Sequence, residues 1–304
     1  MTPRESLLVV AKGFCMGSAD VVPGVSGGTM AFILGIYQRL LEAIRSFDLR
    51  LLGLLGRGRV RAAVDHTDLV FLAFLGLGIA MAVFFFTRLV PLPTLIHTHP
   101  EPVYGLFFGL VVASVAVLLA ELEDLGPRDL VPLALGTALG LGVANMVPAQ
   151  TPETAWFVFL SGALAICAMI LPGISGSFIL LMLRKYAYVF DALGRLDMAV
   201  IIPFALGAVT GLMVFSRLLV WLLHHFHRVM VLAICGILVG SLWVLWPFQE
   251  RVYETVRGKA RLVSSSPILP TDLDRGLLWA VALGLTGFLA VMAIHRLSRR
   301  HVAP

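Results

Sequence analysis

Long apolar stretches alternate with short polar stretches along the whole chain of 304 residues. Several of the apolar stretches approach the roughly 20 residues that an α-helix needs to cross a bilayer. A membrane β-barrel would instead show short segments of alternating polarity. The pattern therefore predicts an all-α polytopic membrane protein. We expect helical segments at about 5–22, 27–46, 68–90, 103–120 and 130–148 in the first half, and at about 154–171, 176–192, 198–222, 229–247 and 275–297 in the second.

A break that contains Pro23 and Gly24 separates the first two apolar segments. Proline lacks an N–H donor and glycine is conformationally loose, so a helix does not continue through this pair. Ser26 is a good N-cap for the helix that follows. The N–H groups expected to be unpaired are those of Gly27, Gly28 and Thr29. A helix start with free donors and small side chains is an anion-binding site.

The same motif returns in the second half, 149 positions further along, as Leu171-Pro172-Gly173-Ile174-Ser175-Gly176-Ser177. In this copy Ser177 stands where the first copy has Gly28. Two copies at one offset predict a duplication inside a single integrated membrane domain. Residues 1–150 form the first repeat, with its hairpin tip at 22–29, and residues 151–304 form the second, with its tip at 171–178.

Each repeat carries five helical segments, of which the first two flank the break. The number of crossings is odd whether the broken pair spans the membrane or is re-entrant, so we expect inverted repeats. We favour the re-entrant form, with three transmembrane helices per repeat, because broken backbone at membrane depth is tolerated where it lines a cavity. Inverted repeats with discontinuous helices are typical of secondary transporters. The alternative is a structural hairpin whose glycines only permit tight packing.

The composition excludes several functional classes. The chain is 59% hydrophobic and 13% charged, with a mean hydropathy of +0.94, and leaves no soluble domain for separate chemistry. Its net charge of +5 comes from arginines in polar stretches such as 47–67, which face anionic lipid headgroups rather than nucleic acid. These cations predict cytoplasmic N- and C-termini. We expect 47–67 to be a loop, 248–274 to be an irregular surface connection, and the three cysteines to bind no metal.

Arg88 and Arg217 occupy matching positions, each after a hydroxyl residue. A guanidinium group can hold a phosphate through two parallel hydrogen bonds. We therefore treat both arginines as candidate ligands of an anion. The alternative is that they reach out to the membrane interface, since both lie near a predicted helix end.

Four other polar residues are candidates for ion coupling or gating: Asp20, Glu42, Asn145 and Asp191. Asp20 stands beside the first tip, where it could bind a proton or a sodium ion, or pair with Lys12. Glu42 and Asp191 match each other across the duplication, and a structural salt bridge with a neighbouring cation is the simpler interpretation. Asn145 could satisfy freed backbone groups or contact the ligand.

The run from Ser18 to Thr29 and the run from Leu171 to Ser177 resemble the paired motifs of the bacterial polyprenyl-phosphate transporter family. This resemblance implies a flippase of the bacterial plasma (inner) membrane that returns undecaprenyl phosphate from the outer to the cytoplasmic leaflet, for carrier-lipid recycling. The phosphate would lie between the tips while the polyprenyl tail stays in the bilayer. The predicted substrate-binding residues are Pro23, Gly24, Ser26, Gly27, Gly28, Thr29, Arg88, Pro172, Gly173, Ser175, Gly176, Ser177 and Arg217.

Two other functions remain open at this stage. An inorganic-anion channel or exchanger would also use glycine-rich helix starts at the membrane centre. An intramembrane serine hydrolase would use the Gly-x-Ser-Gly pattern of both tips, but it needs a histidine within reach of the serine. We expect a transporter and no enzyme, with no cofactor beyond coupling to protons or sodium. The polyprenyl phosphate lipid and the bilayer are the expected partners, and the oligomeric state is left open.

Overall fold

The structure, a computed structural model, describes residues 2–22, 26–90, 95, 98–122, 124–256, 259–270 and 275–302. Thr2 caps the first helix, since its hydroxyl accepts from the Glu5 N–H while the Glu5 carboxylate accepts from the Thr2 N–H. The helices are α1 Pro3–Asp20, α2 Gly27–Ile33, α3 Tyr37–Arg45, α4 Leu49–Gly56, α5 Val60–His66, α6 Leu69–Phe84, α7 Pro100–Glu121, α8 Leu130–Ala144, α9 Ala155–Ile170, α10 Gly176–Met182, α11 Tyr186–Arg195, α12 Met198–His225, α13 His227–Leu245 and α14 Arg275–Val302.

Four helical stretches among the described residues are long and apolar enough to cross a membrane. They are Pro100–Glu121, Met198–His225, His227–Leu245 and Arg275–Ala293. A fifth span is α6 if it is taken with α5, to which it is bent by 63°. These helices confirm the prediction of a multi-pass α-helical membrane protein.

The segments predicted at 27–46 and 176–192 are each divided into two helices, which corrects the sequence prediction. The first division falls at Gly35, whose φ of 67° is a left-handed conformation that glycine adopts readily. The second falls at Arg184, whose φ is 53°. Hydropathy alone misses both divisions, because the apolar pattern runs on across each of them.

The two polar stretches are also more regular than predicted. Within 47–67, Asp48 caps α4 by accepting from the Leu51 N–H at 3.0 Å, and α5 follows. Within 248–274, the chain forms an antiparallel β-hairpin, with β1 at Gln249–Val256 and β2 at Lys259–Pro267. The β-branched and aromatic residues of β1 favour a strand, and this signal was missed because the stretch is polar.

The helices on the two sides of each Pro-Gly break, α1 with α2 and α9 with α10, form a hairpin. At the end of α2, the Leu34 carbonyl accepts from the Lys12 ammonium group of α1 at 2.8 Å. At the end of α10, the Met182 carbonyl accepts from the Ala149 N–H at 2.9 Å. The end of each short helix therefore contacts the middle of the preceding helix or the segment before it.

Small residues allow each hairpin to pack closely on the long helix that follows it. A Cβ on Gly13 of α1 would overlap the Leu75 carbonyl of α6, and a Cβ on Gly162 of α9 would overlap the Phe204 carbonyl of α12. Gly13 and Gly162 are 149 positions apart, the same offset as the two tips. Such contacts between backbones replace the hydrophobic driving force that is absent between helices in lipid.

The described residues divide into two compact units, and each unit takes a segment from each half of the chain. The first unit consists of 1–91 and 149–227 and contains both hairpins. The second consists of 92–148 and 228–304. In the second unit α7 packs on α14, where a Cβ on Gly109 would overlap the Gly284 carbonyl, and α8 packs on α13, where a Cβ on Gly136 would overlap the Ala233 carbonyl.

Candidate functional site

The N–H groups of the first tip are already paired, contrary to the sequence prediction. The Gly27 N–H donates to the Asp20 carboxylate at 2.7 Å, and the Gly28 N–H donates to the Ser26 hydroxyl at 3.2 Å. The Thr29 N–H donates to the Ser26 carbonyl at 2.9 Å. The start of α2 therefore carries an anion that the chain itself supplies. Pro23 and Gly24 lie outside the described residues.

The second tip differs from the first. Among the described residues, the N–H groups of Gly176 and Ser177 at the start of α10 have no hydrogen-bond partner. The Ser175 hydroxyl does not cap this helix but lies 2.9 Å from the Ser177 hydroxyl. Ser177 is exposed and Ser175 partly so. The free donors and hydroxyl groups predicted for an anion site therefore stand at this tip.

One substitution explains why the N–H of the first glycine is paired at the first tip and free at the second. Asp20 and Met169 are matched by the offset of 149, and each side chain stands beside the first glycine of the following short helix. A Cβ on Gly27 would lie 2.5 Å from an Asp20 oxygen, and a Cβ on Gly176 would lie 3.1 Å from the Met169 Cβ. Because methionine offers no carboxylate, nothing in the second hairpin replaces the internal anion of the first.

The two tips contact each other. The Ser26 hydroxyl donates to the Met169 carbonyl at 3.2 Å, and the Gly173 N–H donates to the Thr29 hydroxyl at 2.8 Å. A Cβ on Gly28 would lie 2.7 Å from the Ile170 carbonyl oxygen, so only glycine fits at this point of the contact. Ser26, Thr29 and the neighbouring Pro172 are buried. The structure thus brings together the tips that the sequence places 149 residues apart.

The two candidate arginines take no part in the contact between the described residues of the tips. Arg88 is exposed in the π-helical turn Phe85–Leu89, which continues α6. Arg217 donates to the Met213 carbonyl of its own helix at 3.0 Å and to the Phe47 carbonyl at 3.3 Å. Neither guanidinium group is hydrogen-bonded to any described residue of the two tips. Arg88 lies in the last turn of its helical segment, whereas α12 continues beyond Arg217 to His225.

Three of the four other polar candidates contact neighbouring groups of the chain. Asp20 does not pair with Lys12, since its carboxylate holds the Gly27 N–H and the lysine reaches a backbone carbonyl instead. Glu42 lies 3.6 Å from the His224 ring, in the range of an ion pair. Asn145 donates to the Leu141 carbonyl at 2.8 Å, so it satisfies backbone at the end of α8.

Lys185 was not singled out in the sequence as a candidate of its own. Its side chain is 2% exposed, and its ammonium group donates to the Thr151 carbonyl at 3.0 Å beside the rings of Phe157 and Tyr188. It fixes the turn between α10 and α11 to the segment before α9. The signal that could have identified it is the pair of cations Arg184-Lys185 inside the otherwise apolar segment 176–192.

The tip serines do not have the partners that a hydrolase would require. Ser26 contacts backbone groups and Ser175 contacts another serine hydroxyl. Within the part of the chain that the structure describes, no histidine is hydrogen-bonded to either serine.

Comparisons with known proteins identify the family of this chain. Residues 16–263 match the family model described as undecaprenyl phosphate translocase-like. The chain belongs to this family. A polyprenyl-phosphate transporter of Vibrio cholerae serotype O1 is 39% identical over 263 residues, which cover 86% of this chain and 84% of that protein. A polyprenyl-phosphate transporter of Staphylococcus aureus is 28% identical, over 78% of this chain and 85% of that protein. No solved structure matches the chain significantly.

Membership of the undecaprenyl phosphate translocase-like family confirms the resemblance that the two tip motifs indicate. The matched region includes both tips and the long helices α6 and α12 that follow them. Helices long enough to span a membrane and relatives named as transporters together make this a membrane transport protein.

Proposed function

We propose that the protein carries polyprenyl phosphate from the outer to the cytoplasmic leaflet, and that the phosphate binds at the second tip. The names of the two relatives support the lipid substrate. The observation that supports this site is a comparison of the two tips. At the first tip, the Asp20 carboxylate accepts from the N–H at the start of the helix, while the matching N–H at the second tip has no anion beside it. The first tip thus indicates that the second tip binds a negatively charged group.

The chemistry at the second tip suits a phosphate monoester. Free N–H groups at a helix start combine with the helix dipole to stabilise negative charge. The Ser175 and Ser177 hydroxyl groups add two rotatable donors beside them. Binding of this kind needs no covalent step. The polyprenyl tail remains in lipid, because moving it through water would expose apolar surface at about 25 cal/mol per Å².

Two inverted repeats would supply the alternating access. The packing of the second unit supports this part of the proposal. Gly109 and Ser114 of α7 match Gly236 and Ser241 of α13, and each of these two helices packs on the last helix of the other half. Such a reciprocal exchange is expected for two repeats related by an approximate twofold axis. In this scheme both chain termini are cytoplasmic. Asp20 is the candidate for proton or sodium coupling, since a cation that displaces its hydrogen bond would free the first tip.

Leaflet flux of a fluorescent polyprenyl phosphate in proteoliposomes tests the proposed function. We expect the wild-type protein to accelerate flux over empty liposomes, and to leave a fluorescent polyprenol without the phosphate at the background rate. Release of trapped chloride and inorganic phosphate is measured in the same vesicles. Equal acceleration of both lipids, or ion release without lipid flux, would contradict the proposal, and the second result would establish an inorganic-anion channel.

A further inference from the structure

A cavity of about 460 Å³ lies in the first unit, apart from the contact between the tips. It stands between the end of α3, the start of α4 and the last two turns of α12. The residues that line it are mostly cationic or aromatic: Arg45, Asp48, Arg217, Trp221, His224 and His225. The proposed transport mechanism does not use this cavity.

The charges of the cavity favour an anion. Arg45 is exposed and has no hydrogen-bond or ion-pair partner among the described residues. Arg217 donates to two backbone carbonyl groups, which orient its guanidinium group without neutralising it. The one acidic side chain of the lining, Asp48, is already held by the Leu51 N–H and by the His66 ring at 3.1 Å. These contacts, the N–H first, lower the pKa of the Asp48 carboxyl.

The histidines of the cavity are also oriented by the surrounding structure. The His225 Nδ1 lies 2.9 Å from the Trp221 carbonyl, and a carbonyl only accepts, so this nitrogen carries a proton. The His224 ring faces Glu42 at 3.6 Å and Gln38 at 3.3 Å. The Glu42 carboxylate lies against a lining histidine but is not among the residues that line the cavity.

The position of the cavity along α12 indicates the depth of a lipid headgroup. Arg217 lies about 29 Å along the helix axis from Met198, close to the thickness of a hydrocarbon core of about 30 Å. Trp221, one turn further on, is 49% exposed, and Leu49 at the start of α4 is 84% exposed. Half-exposed tryptophan and exposed leucine beside arginine are typical of a membrane interface.

We propose that this cavity binds a phosphate group at the membrane surface, with Arg45 and Arg217 as its cationic ligands. The inference rests on the proposed function in one respect, because the headgroup of polyprenyl phosphate is the occupant that such a transporter would load or release here. A phosphodiester lipid or free phosphate offers the same chemistry, and the experiment distinguishes the three sources. The cavity also gives Arg217 a role that does not require it to reach the tips.

The fluorescence of Trp221 in the full-length protein in detergent micelles reports on the occupied cavity. The probes are polyprenyl phosphate, phosphatidylglycerol and inorganic phosphate, and the signal of a Trp221→Phe variant is subtracted. We expect saturation with polyprenyl phosphate at the lowest concentration. Arg45→Gln should raise its half-saturation concentration about tenfold, as loss of a charge-assisted hydrogen bond predicts. If phosphatidylglycerol or inorganic phosphate saturates the signal at the lowest concentration, with the same dependence on Arg45, the phosphate site is supported and that probe is its occupant.

Asp48→Asn should change the binding affinity in the opposite direction from Arg45→Gln. It keeps a side-chain oxygen for the α4 cap but removes the negative charge, so we expect tighter binding, which structural damage would not produce. Arg57→Gln removes an arginine outside the lining and should bind as the wild type does. Absence of a Trp221 response to all probes, or one titration curve shared by the Arg45 and Asp48 variants, would overturn the proposal. Wild-type protein that binds phosphate here but moves no polyprenyl phosphate between leaflets would overturn the proposed function alone.

Discussion

The contact between the tips can be tested with Thr29→Val, which removes the hydroxyl that accepts from the Gly173 N–H. Thr29 is 2% exposed and the hydrogen bond is 2.8 Å long, so water cannot replace the lost acceptor without opening the contact. A buried N–H left without a partner costs about 1–3 kcal/mol. The valine methyl group also prefers a longer separation from nitrogen than a hydroxyl does, so the tips should separate slightly.

Hydrogen exchange at the Gly173 amide measures this cost directly. If opening of the tip contact limits exchange, 1–3 kcal/mol corresponds to an increase of about 5–150-fold in the exchange rate. Thr29→Ser restores the acceptor and should return the rate to near the wild-type value. A Gly173 amide that exchanges equally in the wild type and in Thr29→Val would refute the inference that the two tips are joined by this bond.

Three further predictions concern stability, measured by the rate at which a thiol-reactive dye labels the cysteines during heating. Gly207→Ala places a methyl group against a backbone carbonyl and should lower the free energy of unfolding by about 1–3 kcal/mol. Gly76 has open space around it, so Gly76→Ala should not destabilise the protein. Lys185→Met should lower the free energy of unfolding by about 1–3 kcal/mol, because it leaves the part-buried Thr151 carbonyl without its donor. Arg228 lowers the pKa of Asp129 from 3.8 to about 2, so this carboxylate stabilises the fold above pH 4 and loses its effect towards pH 2. The Arg228→Leu variant should therefore lose less stability than the wild type when the pH falls from about 4 to about 2.

The fold could be predicted largely because a bilayer leaves few options for an apolar chain. The spans expected at 103–120, 198–222 and 229–247 agree with α7, α12 and α13 to within a few residues at each end. The divisions at Gly35 and Arg184 could not be predicted, since they depend on backbone conformation rather than on hydropathy. The β1–β2 hairpin was missed because polar strands outside the membrane carry no apolar run.

The tips illustrate what a motif leaves undetermined. The sequence identifies a capped helix start, but it does not tell whether a neighbouring side chain already occupies the N–H groups. Asp20 does so in the first hairpin, and the matching Met169 does not in the second. The offset of 149 between the copies could have pointed to this difference. Similarly, the match between Arg88 and Arg217 is visible in the sequence, while the groups that each arginine contacts depend on how the helices pack.

The most direct test of the central claim is leaflet flux of polyprenyl phosphate in a Met169→Asp variant. Met169 is 44% exposed, so a polar side chain should be accommodated there. By the match with Asp20, the new carboxylate should take the Gly176 N–H and occupy the site proposed for the phosphate. We expect flux to fall at least about tenfold, as loss of a charge-assisted hydrogen bond would give, with a smaller effect in the uncharged Met169→Asn control. Flux in Met169→Asp at the wild-type rate, in protein that unfolds at the wild-type temperature, would contradict phosphate binding at the second tip.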